Sequence, residues 1–309
     1  MSAGDRRGAR GSGLAERLRA ARLAFRGAGP AAGAAPEPGP WRDGSMHRES
    51  LLLVTLDSCR HDTFAAVRPA NILAVGPLHR AHAPSHFTFA SHAAMFAGFT
   101  PGVATSDEPF VNPKRGRIVR LEGGPSPAFG RDHIRVEGED IVDGFNRRGF
   151  VTAGTGAVGW FDDRRPSVRN LVRHFRHYRY AGSNHALDGQ LAWLASVVGG
   201  ARGPVFAFLN VGETHIPYWH EGAPWRRDEN PCKADGAGND AAECARRQRA
   251  CLSFVDGRLG PLLRAFSNAT TVVCGDHGDC WGEDGLWAHG FSHPKTLEVP
   301  LVLRIGSGG

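Results

Sequence analysis

Residues 270–293 read TTVVCGDHGDCWGEDGLWAHGFSH. The first five, Thr270–Cys274, are a short β-branched run, the pattern of a buried strand. The run passes directly into Gly275-Asp276-His277-Gly278. Two ligand-type side chains therefore stand at the carboxyl end of a strand, with a glycine on each side. In open α/β sheets that edge is where ligands bind. Asp276 offers a hard oxygen and His277 a borderline nitrogen. The mixture suits Zn²⁺ or Mn²⁺, with the harder Mg²⁺ and Ca²⁺ as alternatives. A lone Asp-His pair reads more simply as a loop in which Asp276 caps a helix and His277 is solvated. Here Gly282, Glu283, Asp284, His289 and His293 follow within seventeen residues, and that density favours a site.

The chain has 309 residues, enough for one large α/β domain or two small ones. The net charge is +6, but residues 1–44 hold eight Arg against four acidic residues. The remainder is close to neutral, which argues against a nucleic-acid groove. Gly27 to Pro40 is Gly, Ala and Pro apart from Glu37. Such a segment cannot bury enough apolar surface to order. We therefore expect a disordered basic tail over 1–44 and one domain over 45–309. Leu14 to Phe25 could form a basic amphipathic helix, either a transit peptide or a surface contact. No apolar run is long enough to span a membrane. With no secretory core visible, the expectation is a cytoplasmic protein, a transit peptide left open. Of six cysteines, Cys59 and Cys274 fall on apolar strand patterns and read as buried thiols. Cys232, Cys244 and Cys251 lack C-x-x-C spacing, which disfavours structural zinc; a Cys232–Cys244 disulfide requires an oxidising compartment.

Leu51–Leu56 is apolar throughout, as a central parallel strand should be, and Asp57 follows at its end. Asp57 then shares a sheet edge with Asp276 if the two strands are parallel; otherwise it is an N-cap. Ala93–Gly98 is a small-residue helix pattern with Thr88 at or near its start and Pro101 beyond its end. A helix start presents free N–H groups to an oxyanion. Asp140–Arg148 reads as a helix and Phe150–Gly154 as a strand. Asn184–Val198 and Ala241–Phe266 are amphipathic helices. Pro204–Asn210 is a third apolar strand, and 102–135 a long loop. Trp160, Arg164 and Arg165 could meet an anionic substrate, or pair with Asp162 and Asp163.

The wording LVTLDSCR (53–60), TFASHAAMFAGFTP (88–101), FLNVGETHIPY (208–218), VVCGDHGD (272–279) and EVPLVL (298–303) resembles the alkaline phosphatase superfamily, in its sulfatase-like branch. The resemblance runs from about residue 50 to 305. It implies a doubly wound α/β fold with a mainly parallel mixed sheet and helices on both faces. It implies one divalent metal ion on Asp57, Thr88, Asp276 and His277, with Thr88 as nucleophile. His215, in T-H-x-P-Y, would contact the oxyanion or leaving group and act as general acid; the duller alternative is a histidine held by loop backbone. His92, His215, His289, His293 and Lys295 would contact the substrate, Lys295 doing so if it matches the sulfatase lysine and otherwise being surface charge.

The departures narrow the chemistry. Sulfatases carry C-x-P-S-R, whose Cys or Ser becomes formylglycine. Here the aligned residues are Thr88, Phe89, Ala90, Ser91 and His92. A threonine cannot give that aldehyde, so a phosphoester is favoured over a sulfate ester. Two-metal members use Asp-x-x-x-His, but Val211 stands at the Asp position, leaving His215, His289 and His293 as the candidates for a second ion. The expected function is a metal-dependent hydrolase or transferase of a small anionic phosphodiester, phosphonate or sulfate ester. The alternative is a catalytically inactive domain of the same fold acting as a binding module. Oligomeric state is left open.

Overall fold

The computed structural model describes residues 41–98, 120–122, 133–135 and 139–306. In chain order the elements are β1 (Leu51–Leu56), α1 (His61–Val67), α2 (Ala70–Leu73), β2 (Leu78–His82), α3 (Thr88–Ala97), β3 (Arg120–Glu122), β4 (His133–Arg135), α4 (Ile141–Arg147), β5 (Val151–Gly156), α5 (Pro166–Val172), β6 (His177–Tyr180), α6 (Leu187–Val198), β7 (Val205–Val211), α7 (Ala241–Ala265), β8 (Thr270–Gly275), β9 (Cys280–Trp281), β10 (Trp287–Ala288), α8 (Pro294–Leu297) and β11 (Glu298–Arg304). Seven strands form one sheet in the order β2-β11-β8-β1-β7-β5-β6. The run from β8 to β6 is parallel, and β11 is antiparallel to both of its neighbours. This is the doubly wound, mainly parallel mixed sheet that was expected.

Strand periodicity divides the core between the two faces. Ala207, Leu209 and Val211 point one way, with Leu52, Val54 and Leu56, into a core closed by α1, α6 and α7. Phe206 and Phe208 point the other way, against Phe89, Phe96, Val142, Leu171 and Phe175 from α3, α4, α5 and the turn after it. Leu52, Val54 and Leu56 are wholly buried, each contributing roughly 1.5–3 kcal/mol. With both faces covered, the central strands must read as apolar throughout, which is why β1 and β7 were legible. Helix α7 presents Leu252, Val255, Leu259 and Leu262 at helical spacing to the first core. Its start is capped by Asp240, which accepts from the Glu243 amide at 3.0 Å.

The expected boundaries shift by a few residues. The helix from Asn184 begins at Leu187, and the Ala93 pattern extends back to Thr88. Gly98 ends α3 in the left-handed region, at φ 63°, where a glycine carries no Cβ penalty. β2 and β6 were not anticipated; LHRAH and HYRY are edge strands with half-exposed, charged faces. Within 102–135, Arg120–Glu122 and His133–Arg135 pair as a two-stranded ribbon, and the rest of that loop lies outside the described residues. So do residues 1–40, with the amphipathic segment Leu14–Phe25. Trp41 packs on the first core, and the Gly44 amide donates to Arg264 O at 2.9 Å.

Candidate active site

The register sets the site. Leu56 pairs with both Val211 and Gly275, so β1, β7 and β8 end side by side. The next residue of β1 is Asp57, and the next of β8 is Asp276. Ser58 adopts φ 59°, which turns its amide back to donate to Asp276 Oδ1 at 3.1 Å. The His277 amide donates to the same oxygen at 2.9 Å. Asp276 Oδ2 is buried and has no hydrogen-bond partner. Burial raises the Asp276 carboxyl well above its ordinary value, and the neighbouring Asp57 adds to the effect.

His277 is wholly buried, and its Nδ1 lies 3.0 Å from Gly278 O. A carbonyl only accepts, so Nδ1 carries the proton and Nε2 is a bare lone pair. Nε2 faces the carboxylates, 3.7 Å from Asp57 Oδ1 and 3.7 Å from Asp276 Oδ2. Desolvation lowers the imidazole pKa to about 3, with His289 contributing, so it stays neutral. Thr88 Oγ1 is 3.2 Å from His277 Nε2 and 3.4 Å from Asp57 Oδ2. A tetrahedral ion with bonds near 2.1 Å holds its ligand atoms about 3.4 Å apart. The spacings, the orphaned Asp276 oxygen and the oxygen-rich donor set with one neutral imidazole all fit a divalent cation. Asp57, Asp276 and His277 offer ligand atoms within 4.8 Å of one another.

His215 and His289 complete the cleft. His215 Nδ1 donates to Ile216 O at 2.7 Å, and its Nε2 points at Asp57 Oδ1, 4.0 Å away. The His289 ring centre lies 4.4 Å from that of His277 and 5.3 Å from that of His215. His277, Asp279 and His289 also offer ligand atoms within 4.8 Å. Their donors are already committed, however. Tyr218 and His289 occupy the two Asp279 oxygens, and the one bare nitrogen of His277 serves the first group. Val211 ends β7 as a buried core side chain, so no carboxylate reaches the place of a second ion from there.

Three expected substrate contacts stand elsewhere. His92 is wholly buried beneath the site: Nδ1 donates to Thr88 O at 2.7 Å, and Nε2 accepts from Thr55 Oγ1 at 2.9 Å. Desolvation lowers its pKa to about 4, and it is packed edge-on against Phe96, Phe161 and Phe208. It supports Thr88 from behind and has no free nitrogen for a substrate. His293 caps α8, accepting the Lys295 amide at 3.0 Å, while its Nε2 donates to Asp284 at 3.1 Å. Lys295 pairs with Asp62 at 2.8 Å. Arg164 and Arg165 both pair with Asp162, and Trp160 packs on Phe87 and Phe89, so the plainer reading of that loop holds. All six cysteines are free and buried, Cys232 and Cys244 included.

Sequence reasoning missed four supporting groups. Asn210 donates to Asp57 Oδ2 at 3.1 Å. Ser91 donates to Asp276 O at 2.7 Å. Gln248 on α7 donates to Ser58 O at 2.9 Å and to Thr214 O at 3.1 Å, clamping the two loops that carry Asp57 and His215. Asp279 holds His289 at 2.6 Å. Only Asp279 left a signal, as an acid two residues after His277.

No protein-family model and no curated protein sequence matches the chain. Solved structures do. The C-terminal periplasmic domain of phosphoethanolamine transferase EptC from Campylobacter jejuni is similar at TM-score 0.58 and 12% identity, over 84% of this chain and 80% of that one. An alkaline phosphatase superfamily protein from Vibrio parahaemolyticus gives 0.52 and 11%, over 95% and 69%. The phosphonate monoester hydrolase of Agrobacterium radiobacter gives 0.53 and 16%, over 83% and 68%. The chain thus has the alkaline phosphatase superfamily fold that the resemblance implied. The expectation of a cytoplasmic protein is overturned here, because the matching transferase domains from C. jejuni and Escherichia coli are periplasmic. Among the described residues no helix is long and apolar enough to cross a membrane.

Proposed function

We propose that the chain is a metal-dependent enzyme that cleaves or transfers phosphoesters, with Thr88 as nucleophile. One observation carries this reading: Thr88 Oγ1, the unpartnered Asp276 oxygen, Asp57 and the bare His277 nitrogen converge at ion-ligand spacing. A Zn²⁺ or Mn²⁺ ion held there would supply the Lewis acidity that makes the Thr88 hydroxyl a nucleophile. Two kinds of neighbour support the choice of chemistry: phosphoethanolamine transferases, one of them a zinc complex, and a phosphonate monoester hydrolase.

Thr88 Oγ attacks phosphorus as the leaving alcohol departs, giving a phospho-threonine. Water or an acceptor alcohol then displaces the threonine. Thr88 is the first residue of the ten-residue α3, so the open N–H groups of that first turn face the developing negative charge. In this reading His215 and His289, whose rings neighbour each other and that of His277, bind non-bridging oxygens and protonate the departing group. A threonine at this position excludes formylglycine, which supports phosphoesters over sulfate esters.

The test is a panel of phosphodiester, phosphonate and sulfate esters, run with Zn²⁺ or Mn²⁺ and with and without an acceptor alcohol. We expect phosphoesters to be turned over fastest, with Thr88→Ser keeping part of the rate. A chain that binds no metal and turns over nothing would instead be a binding module. Product analysis with the acceptor distinguishes transfer from hydrolysis.

A further inference from the structure

The second core does not run apolar to the end of the sheet. On that face β1 presents Leu51, Leu53 and Thr55, and β7 presents Phe206, Phe208 and Asn210. Thr55 and Asn210 are register partners, and His92 of α3 lies over them. All three side chains are wholly buried. What each group can do fixes the direction of every bond between them. Asn210 Oδ1 accepts the Ala157 amide at 3.2 Å, so its NH2 faces the site. That nitrogen donates to Asp57 Oδ2 at 3.1 Å and to Thr55 Oγ1 at 3.3 Å. His92 Nδ1 gives its hydrogen to Thr88 O, so the Thr55 hydroxyl donates to the bare Nε2 at 2.9 Å. One unbroken chain of bonds thus runs from Asp57 through Asn210, Thr55 and His92 to the backbone of Thr88. An apolar trio would fill this space beside Phe96, Phe161 and Phe208 without desolvating three polar groups. Packing alone does not account for the choice.

We propose that Thr55, Asn210 and His92 are positioning residues that set the Asp57 carboxylate and the start of α3 against each other. None of them offers an atom to the cation or to the substrate. With Oδ2 held by Asn210, Asp57 turns Oδ1 toward His277 Nε2, 3.7 Å away, and that is the oxygen it presents to a cation. The same chain of bonds holds Thr88 by its carbonyl, with Oγ1 at 3.5 Å and 3.4 Å from the two Asp57 oxygens. This inference rests on the metal-dependent reading of the site. It adds that a buried network sets the ligand spacing in the metal-free chain, so that less ordering is left for the ion to impose.

The test is the affinity of the 309-residue chain for Zn²⁺ and for Mn²⁺, each measured alone by competition with a chelator. Thr55→Val keeps the shape and removes the hydroxyl, which breaks the network at its middle without touching a ligand. We expect its affinity to fall roughly tenfold or more, and the visible bands of the Co²⁺-loaded protein to shift. Thr55→Ser keeps the hydroxyl and should stay within about twofold of wild type, with an unshifted Co²⁺ spectrum. A purely structural role would lower the melting temperature of the metal-free protein and leave both readouts of the folded protein unchanged. Unchanged affinity in Thr55→Val, or an equal loss in Thr55→Ser, overturns the inference while the metal site stands. A wild type that binds neither ion overturns the metal-dependent reading and this inference with it. Should Thr55→Val fail to fold, Asn210→Ala, which removes the direct bond to Asp57, carries the same two measurements with the same expected losses. If neither variant folds, the network serves the fold alone and the inference is overturned.

Discussion

Asp276 and Asp62 are both carboxylates beside β8 and α8, and their surroundings are opposite. Asp276 is wholly buried next to a second carboxylate, Asp57, with one oxygen unpartnered. Asp62 is half-exposed and gripped by two cations, Arg60 and Lys295. Burial raises the Asp276 carboxyl. It would raise Asp62 too, but hydrogen bonds from Arg60 and Lys295 outweigh it and hold that carboxyl well below the usual range. The neighbouring Asp284 and Glu283 are likewise paired, with His293 and Arg60. Residue type therefore does not mark the site, because Asp and His occur on both sides of the comparison. What marks it is a buried, unpartnered carboxylate oxygen amid a convergence of ligand-type atoms at one place. A buried polar group without a partner is costly. A fold that aims such an oxygen, on Asp276, at the unprotonated nitrogen of His277 and at Asp57 and Thr88 presents the group to something beyond the chain.

The largest effect should come from removing the oxygen at that point. Thr88→Ala should lower turnover of the best phosphoester by roughly 10⁴-fold or more, with metal still bound. Steady-state kinetics beside elemental analysis checks this, and an active alanine variant would mean that water attacks instead. Next comes Asp276→Asn, which exchanges an anionic ligand for a neutral amide. It should weaken metal affinity by roughly 100-fold or more while leaving the metal-free protein at least as stable as wild type, since a like-charge contact is relieved. Competition with a chelator and thermal melts of both metal-free proteins separate the two effects. Full metal occupancy in Asp276→Asn would put this carboxylate on Asp62's side of the comparison.

How much of this the sequence disclosed follows from the same physics. Strands covered on both faces, such as Leu51–Leu56 and Val205–Val211, advertise themselves by unbroken apolar runs. The edge strands Leu78–His82 and His177–Tyr180 do not, because half of each faces solvent. Asp57, Asp276 and His277 were legible because each follows an apolar strand directly, and position at a strand end is a local property. His92 and His293 were misplaced because a motif gives a residue's neighbours in sequence but not its hydrogen bonds. His92 aligns with the arginine of C-x-P-S-R, yet its two nitrogens are taken by Thr55 and Thr88. Gln248 was invisible for the converse reason. It sits mid-helix, and only the tertiary packing of α7 beneath both loops reveals its role.

Glu213 sharpens the comparison, since it is buried with one orphaned oxygen and yet stands outside the cluster. Its other oxygen accepts the first amide of α6, Leu187 N, at 3.0 Å. Burial pushes its carboxyl from 4.5 to about 7. The native state therefore holds a proton that the unfolded chain releases between those values. Stability is fully present below about pH 4.5, declines as pH rises through about 7, and is flat above it. The loss amounts to about 3 kcal/mol at most, by the linkage of roughly 1.4 kcal/mol per pKa unit. Glu213→Gln should remove that slope while keeping the Leu187 bond, as urea melts at pH 5 and pH 8 would report. An unchanged slope would mean that the carboxyl is ionised when buried, held by a partner as Asp62 is.

The smallest effect, and the one that bounds the site, is at Lys295. The sulfatase resemblance would make it a substrate contact, whereas the structure pairs its Nζ with Asp62 at 2.8 Å, about a third of the side chain remaining exposed. A half-exposed pair of this kind is worth about 0–1 kcal/mol. Removing the lysine also leaves no orphan, because the Asp62 carboxylate keeps Arg60, whose Nε donates at 2.8 Å. Arg60 in turn is held by Glu283 and by the Trp281 ring, 3.9 Å from its guanidinium carbon, so it does not depend on Lys295. Lys295→Met should therefore shift stability by less than about 1 kcal/mol, and that shift should shrink in high salt as the pair is screened. Its kcat/KM should stay within about twofold of wild type, since a paired rim charge supplies little binding energy. A tenfold rise in KM with kcat retained would show instead that the lysine leaves Asp62 to meet the substrate anion. The paired rim would then be a reserve of charge for the site, and the contrast between Asp276 and Asp62 would hold only for the protein without substrate.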